Sequence, residues 1–407
     1  MHPRPLVLHL SADYPDPVRN RTTNAVKNFI DRIDACDHLI VSLKRTADPR
    51  KCYLREFPPR DNQTLVAMGY WAPPGGLLHR PTMHALAERV MSLIARSGRR
   101  PDVIHAHKLT IEGVAARMIA RRLGIPYVCS VRGEVESKFF RFKPGLRRYF
   151  GQVIGDAAAI YYVSAWFKDW IDARYPGRVR DQSLLPNFVS KPITRNPVAP
   201  DRDAWDRQAL VTVMDLNLYR KKGLHWLLDG LALARRTHPG LRLDVIGWSN
   251  PQAMGEIEAI VARLGLGDAV RFLGTLENAE VMRRLSTYAA FVLPSANETF
   301  GMAYVEALLS GVPVLYSLAT GIDGYLDGLD VGVGAPLGDV PAIAAGLCTL
   351  VERADDYRVA IERQWPEIEG RFGPGRYVDA YQELVTRLAA RAPAEPPRAV
   401  VFDRAWT

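Results

Sequence analysis

Short apolar runs alternate with longer stretches of helical period along almost the whole chain. In the first half "PLVLHL" (5–10), "HLIVSL" (38–43), "DVIHAH" (102–107), "PYVCSV" (126–131) and "AIYYVS" (159–164) read as strands. Between the third and fourth lies "LTIEGVAARMIARRLG", with Ile111, Val114, Ala115, Met118 and Ile119 on one face and Gly124 and Pro126 as a helix stop. A second series follows: "ALVTVMD" (209–215), "LRLDVIG" (241–247), "AVRFLG" (269–274), "AAFVLP" (289–294) and "VPVLYS" (312–317). Helical stretches such as "GLHWLLDGLALARR" separate these as well.

Strands that alternate with helices predict parallel sheets covered on both faces, and two series predict two doubly wound, Rossmann-like α/β domains. A 407-residue chain that is 48% hydrophobic can fill two such cores. The seam is expected in "PNFVSKPITRNPVAPDRDAWD" (186–206), rich in Pro, Asn and charge, which divides the chain into domains at 1–190 and 191–370. A helix over 371–390 is expected to pack back on the first domain, followed by an Ala/Pro-rich tail over 391–407.

No run of eighteen apolar residues occurs, and the N-terminal "MHPRPLVLHLSADYP" reads as a buried strand instead of a signal peptide. Cys36, Cys52, Cys129 and Cys348 lie far apart with no metal-ligand spacing, so they read as small buried hydrophobes of a reducing cytoplasm. Charge is unevenly placed: residues 1–190 carry 30 Lys and Arg against 17 Asp and Glu, whereas the remainder carries 23 against 27. A basic first half suits an anionic surface or an acidic ligand.

The candidate chemistry centres on "PSANETFGMAYVEALLSGVPVL" (294–315). "AAFVLP" is a strand and "MAYVEALLS" a helix ended by Gly311, so Glu298 falls in the loop at a strand's carboxyl end, where open α/β sheets bind ligands. The amides from Phe300 to Tyr304 would form a helix N-terminus suited to a diphosphate. A carboxylate beside an anion site makes sense when the ligand also carries neutral hydroxyls, as a nucleotide sugar does. Glu306, eight residues on, would lie about 12 Å along a continuous helix. That exceeds the roughly 5 to 9.5 Å of paired glycosidase acids, so the two glutamates read as separate hydroxyl contacts.

These residues resemble the family 4 glycosyltransferases. Glu298 and Glu306 match the family's E-x7-E motif, and "DVIHAH", "GIPYV", "LPNFV", "KKGL" and "VRFLGTL" extend the likeness over nearly the whole chain. The resemblance implies a GT-B fold, two Rossmann-like domains facing a central cleft, and transfer from a nucleotide sugar with retention of configuration. It further implies that Glu298 holds donor sugar hydroxyls beside the amides of Phe300, Gly301 and Met302, that Glu306 binds the ribose, and that Lys222 clamps the diphosphate with Gly223 opening the helix behind it. A fixed ammonium and a helix N-terminus stabilise the charge that grows on a departing diphosphate.

Three departures from the family pattern bear on the reading. Asn217 stands where an arginine is usual, leaving Arg220 or Lys221 to supply a second cation. Arg132-Gly133-Glu134 replaces a His-Gly pair; a permanently charged Arg132 cannot act as a base but can bind an acidic acceptor or a phosphate. The usual glycine pair after the first strand is missing, and Thr22, Thr23 and Asn24 shape that loop, which with Glu134 belongs to acceptor binding. His107 closes its strand as a candidate catalytic group, and His105 reads as core. Asp201 and Asp203 in the linker form a metal-like pair that is discounted: no metal or cofactor is expected, the nucleotide sugar being a co-substrate.

The segment "KFFRFKPGLRRYF" (138–150), with Arg147 and Arg148, suits transient contact with an anionic membrane surface better than nucleic acid. The expectation is thus a hexosyltransferase of surface polysaccharide assembly, cytoplasmic or peripheral on the inner membrane face, with a glycan or lipid-linked acceptor. Its rivals are a GT-B epimerase or phosphorylase, and a catalytically silent member that binds a nucleotide sugar or a partner.

Overall fold

A computed structural model describes residues 4–19, 23–189 and 205–391. The chain divides into two compact units, one made of Met1–Val163, Lys168–Ser190 and Pro374–Thr407, the other of Ser164–Phe167 and Lys191–Gly373.

The first unit is built on an eight-stranded sheet. Its strands are β1 (Leu6–Ser11), β2 (Asp37–Thr46), β3 (Tyr53–Glu56), β4 (Gln63–Trp71), β5 (Val103–Ala106), β6 (Tyr127–Val131), β7 (Ala159–Tyr162) and β8 (Gln182–Leu184), in the order β3-β4-β2-β1-β5-β6-β7-β8. All neighbours run parallel except β3, which pairs antiparallel with β4. Every residue of β1, β5, β6 and β7 is buried, as a sheet covered on both faces requires.

The second unit holds a six-stranded parallel sheet of β9 (Asp206–Val213), β10 (Arg242–Ile246), β11 (Val270–Gly274), β12 (Tyr288–Leu293), β13 (Val314–Ser317) and β14 (Gly332–Ala335), ordered β11-β10-β9-β12-β13-β14. In each sheet the order reverses beside the unit's first strand, the topology of doubly wound folds. The strands that sequence pattern misses have physical reasons to be missed. The edge strands β3, "YLRE", and β8, "QSL", have no fully buried residue, and β14, "GVGA", is half glycine. The inner strand β4, "QTLVAMGYW", follows a Pro-rich loop and starts on half-buried residues.

The chain re-enters the first unit at Pro374. The helix Gly375–Ala389 buries Tyr381, Leu384, Val385 and Leu388 against Phe29, Ile33, Val103, Val128 and Phe188. Tyr381 is fully buried, stacks edge-on to Phe29 with ring centroids 4.9 Å apart, and its hydroxyl lies 3.0 Å from His105 Nδ1. Among the described residues no helix is long and apolar enough to cross a membrane. Cys36 and Cys129 are buried, whereas Cys52 and Cys348 are only half-buried; all four are free thiols.

Truncating Tyr381→Ala is expected to cost about 3–5 kcal/mol by removing a buried ring. Tyr381→Phe should cost about 1 kcal/mol, the net worth of one hydrogen bond. Urea unfolding of the two variants measures both, and an Ala variant as stable as the parent would show that the terminal helix is dispensable to this core.

Candidate functional site

In the second unit, β12 ends at Leu293 and the chain loops through Glu298 into the helix Met302–Leu309. Hydrogen bonds hold this loop from two sides. The Glu298 amide donates to Thr320 Oγ1 at 2.8 Å and the Gly321 amide to the Glu298 carbonyl at 3.0 Å, while the Ala296 amide reaches the Lys221 carbonyl at 2.8 Å. The loop carrying Lys222 is thereby tied to the loop carrying Glu298. Lys222 Nζ forms an ion pair with Glu298 Oε2, both side chains being mostly shielded from solvent. Gly223 makes the approach feasible: its φ is +73° and a Cβ there would fall 1.9 Å from the Pro294 carbonyl oxygen.

Gly301 opens the helix in the left-handed region, at φ +86°, and no side chain caps that end. A Cβ on Gly301 would strike the Tyr304 ring at 2.4 Å, so the bare backbone there is enforced by packing. The Tyr304 amide is spent on the Gly301 carbonyl, which narrows the amides expected from 300 to 304 to those at the head of the turn. Phe300 contributes backbone alone, because its ring is fully buried and packs edge-on to Tyr325. Helix starts only at Met302, so the 12 Å estimate for a continuous helix from Glu298 to Glu306 does not apply. Glu306 is half-buried on that helix and accepts from Asn278 Nδ2 at 3.3 Å. Burial raises its pKa, only partly offset by the Asn278 bond.

The neighbouring cations diverge. Arg220 is exposed, lies over the Tyr219 ring and points toward Glu256, 3.6 Å away. It lines a shallow hollow with Lys221 and Asn217, and Asn217 itself is fixed by Asp215 Oδ1 at 2.7 Å and the Asn250 amide at 2.9 Å. The fold thus brings Lys222 to Glu298 and sends Arg220 to Glu256.

In the first unit, Arg132 is buried: its Nε donates to the His107 carbonyl at 3.1 Å and its Nη1 to Asn187 Oδ1 at 3.3 Å. Asp13 stands 3.9 Å from Arg132 and 2.7 Å from Lys108 Nζ. Burial alone would raise the Asp13 pKa, but the two cations, Lys108 foremost, bring it below the usual carboxylate range. Glu134 begins the helix Glu134–Phe142 and takes a bond from Lys138 at 3.3 Å. Arg147 donates to the Phe140 carbonyl at 2.8 Å, so it serves the local fold, whereas Arg148 is exposed. Thr23 is exposed and accepts from the Ala25 amide at 3.2 Å. Thr22, Asp201 and Asp203 lie outside the described residues.

The histidines form a chain that separate sequence positions do not announce. The Ile33 carbonyl can only accept, so His38 Nε2, 2.9 Å away, carries the proton and His38 Nδ1 is left as an acceptor. His9 Nε2 therefore donates to His38 at 3.0 Å, and His9 Nδ1 accepts from His107 Nε2 at 3.1 Å. His107 keeps a lone pair on Nδ1, which has no hydrogen-bond partner among the described residues, and lines a small cavity with Ser130, Arg132 and Asn187. Burial, then mutual repulsion, holds His9 and His107 well below the ordinary histidine range, and burial and Arg132 lower His105 to about 3. Ligand atoms of His9, His105 and His107 come within 4.8 Å of one another, as a metal site requires. The hydrogen bonds account for the grouping: both His9 nitrogens serve the chain, and those of His105 meet Tyr381 and Ser130 hydroxyls at 3.0 and 2.9 Å.

Two buried carboxyls, Glu112 and Glu136, escaped sequence reasoning. Glu112 accepts from the Ala12 amide at 2.8 Å and Glu136 from the Leu109 amide at 3.1 Å, and the second oxygen of each is buried without a partner. Burial raises both, Glu112 to about 7 against the pull of Lys108. The available signal was position: Glu112 opens the helix that follows β5, next to Lys108.

Comparison with known proteins bears on both units. Residues 24–187 match the family described as "Glycosyl transferase 4-like domain" and residues 207–353 that described as "Glycosyl transferases group 1". The chain is 27% identical over 258 residues to a glycogen synthase of Mycobacterium tuberculosis, covering 62% of this chain and only 61% of that protein's length. It is 28% identical over 335 residues to a D-inositol 3-phosphate glycosyltransferase of Corynebacterium urealyticum, covering 76% and 78%. Among solved structures, a sucrose-phosphate synthase from Thermosynechococcus elongatus superimposes with a TM-score of 0.70 at 17% identity, over 95% of this chain and 99% of that one. The Anabaena protein HepE, solved in complex with UDP and glucose, gives 0.62 at 17% identity over 94% and 100%. At such identities the likeness speaks for the fold, two GT-B-type α/β units.

Glu112 makes stability depend on pH. Its folded pKa, about 7, exceeds the ordinary glutamate value of 4.5, so the folded state binds the extra proton. The contribution is full below 4.5 and is lost as pH rises through 7, on the order of 3 kcal/mol in all. Glu112→Gln should flatten that part of the stability–pH curve in urea unfolding; an unchanged slope would contradict the assignment. Nitrogen-15 NMR at neutral pH should find His9, His38 and His107 as neutral Nε2–H tautomers, and titration of His107 near 6.5 would break the chain of donors derived above.

Proposed function

Since this chain belongs to the family 4 glycosyltransferases, we propose that it moves a hexose from a nucleoside diphosphate donor to a glycan or lipid-linked acceptor, with retention of configuration, in surface polysaccharide or glycoconjugate assembly. The observation that carries this reading is the Lys222–Glu298 pair set beside an uncapped helix N-terminus at Gly301.

Without donor the two charges satisfy each other. With donor, the diphosphate takes over Lys222 and the amides at the head of the helix, and the freed Glu298 carboxylate accepts from sugar hydroxyls. Glu306, half-buried four residues into the helix, holds the ribose hydroxyls. As the anomeric C–O bond breaks, the electron pair passes to the diphosphate, whose growing charge meets a fixed ammonium and a fixed dipole. The acceptor oxygen attacks the same face and its proton goes to the departing phosphate oxygen. The reading asks for no metal. Arg220, drawn toward Glu256, lines the same hollow as Lys221, and either supplies the second cation once a donor is bound.

Arg132 stands where a histidine is usual, and its guanidinium, 3.3 Å from Asn187 Oδ1 and next to Asp13, suits an acceptor bearing hydroxyls or acidic groups. Transient contact with an anionic membrane is supported by exposed Phe142, Lys138 and Arg148 in one short segment.

Glu298→Gln and Lys222→Ala should each lower transfer about 100- to 1,000-fold, the range for removing one stabilising group at a developing charge. Glu306→Gln should chiefly weaken donor affinity, by about tenfold, the loss of roughly one charge-assisted hydrogen bond. Radiolabelled transfer assays and a thermal-shift screen of nucleoside diphosphate sugars measure these effects; transfer unchanged in the first two variants would sink the assignment.

A further inference from the structure

The first unit contains a cavity of about 460 Å³ that none of the site residues explains. It lies among the ends of β2 and β4, the loop that follows β4, the loop that follows β5 and the helix Glu134–Phe142. Those loops leave the carboxyl ends of parallel strands, the edge at which open α/β sheets take ligands. Its volume falls within the roughly 300–1,000 Å³ of small-molecule sites.

The lining combines two chemistries. Tyr70, Leu77, Met83, Ile111, Phe139 and Phe142 supply apolar wall, and Arg45, Lys138 and Lys143 also line it, while no carboxylate does. Lys138 is shared with Glu134, and Lys143 has no ion-pair partner among the described residues. Leu77 and Phe142 are 61% and 67% exposed, and Leu78 beside them is 60% exposed. Water-facing side chains of this size, continuous with an apolar hollow, are costly unless something covers them. The loop is also held in an unusual backbone: Gly75 and Gly76 have φ near +67°, and Leu78, which has a Cβ, sits at +52°.

A free sugar would leave this apolar wall unused, and single-stranded nucleic acid stacks on open aromatic faces instead of entering a hollow. An anion with a hydrocarbon chain uses both parts. We propose that this cavity takes the chain of a phosphorylated lipid, with the phosphate held by Lys143 and its neighbours Lys138 and Arg45. That the lipid is the sugar acceptor rests on the glycosyltransferase reading; the binding site does not.

Calorimetric titration of the full chain with decyl phosphate, kept below its micellar concentration, tests this. Saturable one-to-one binding is expected, at least tenfold tighter than for decanol or inorganic phosphate, which corresponds to about 1.4 kcal/mol. Met83→Trp, which fills the hollow, and the double variant Lys138→Ala/Lys143→Ala should each weaken it at least about tenfold. Phe142→Asp, at an exposed position, does the same without burdening the core. Circular dichroism and a cooperative thermal transition report whether each variant is folded, and a thermal-shift assay with a nucleotide sugar tests donor binding separately. A protein that lacks that shift but binds decyl phosphate counts against the proposed reaction and not against this site. Equal affinity for decanol and decyl phosphate would overturn the proposal. So would decyl phosphate binding untouched by Phe142→Asp, or attachment to anionic vesicles with no binding of dispersed decyl phosphate.

Discussion

A parallel strand cannot be joined to its neighbour by a tight turn. The chain must cross back over the sheet, and each crossover delivers the carboxyl ends of all strands to one edge. That constraint governs both units. In the second it places Glu298 after β12 beside the Lys222 loop, and in the first it places His107 after β5 beside Arg132 after β6. The charged candidates collect on the loops, because a charge on a strand buried on both faces would have to leave water.

Charge is handled differently in the two units. In the second, Lys222 and Glu298 neutralise each other within reach of solvent, so a ligand carrying both an anion and hydroxyls can replace the pairing without stranding either group. In the first, buried Arg132, Glu112 and Glu136 sit with half-buried Lys108 and Asp13, and their balance rests on few hydrogen bonds. The imidazole chain from Ile33 to His107 shows how one carbonyl acceptor fixes the tautomers of three rings, so that the last presents a lone pair to a cavity.

Much of this was legible without coordinates. Alternating apolar runs identified ten strands, nine of them inside a sheet and β11 at an edge, because a strand buried on both faces must be almost wholly apolar. The edge strands β3 and β8 were invisible because half-exposed strands of three or four residues carry no such signature. Glu298, Lys222 and Gly301 could be singled out because a strand, a glycine and a helix start fix where a loop residue lies. Their pairing could not, since it depends on two loops 76 residues apart.

By itself the sequence determined the class of fold, two α/β units, and the strand ends at which the candidate residues stand, because hydrophobic period and helix stops are local properties. Tertiary structure alone decided which of those residues meet. Arg220 turns to Glu256 while Lys222 turns to Glu298, Phe300 commits its ring to the core, and His9, His38 and His107 come together from three strands or strand ends. Side-chain direction and burial depend on neighbours distant in sequence, and these set both the raised pKa of Glu112 and the cation-lined hollow beside Phe142.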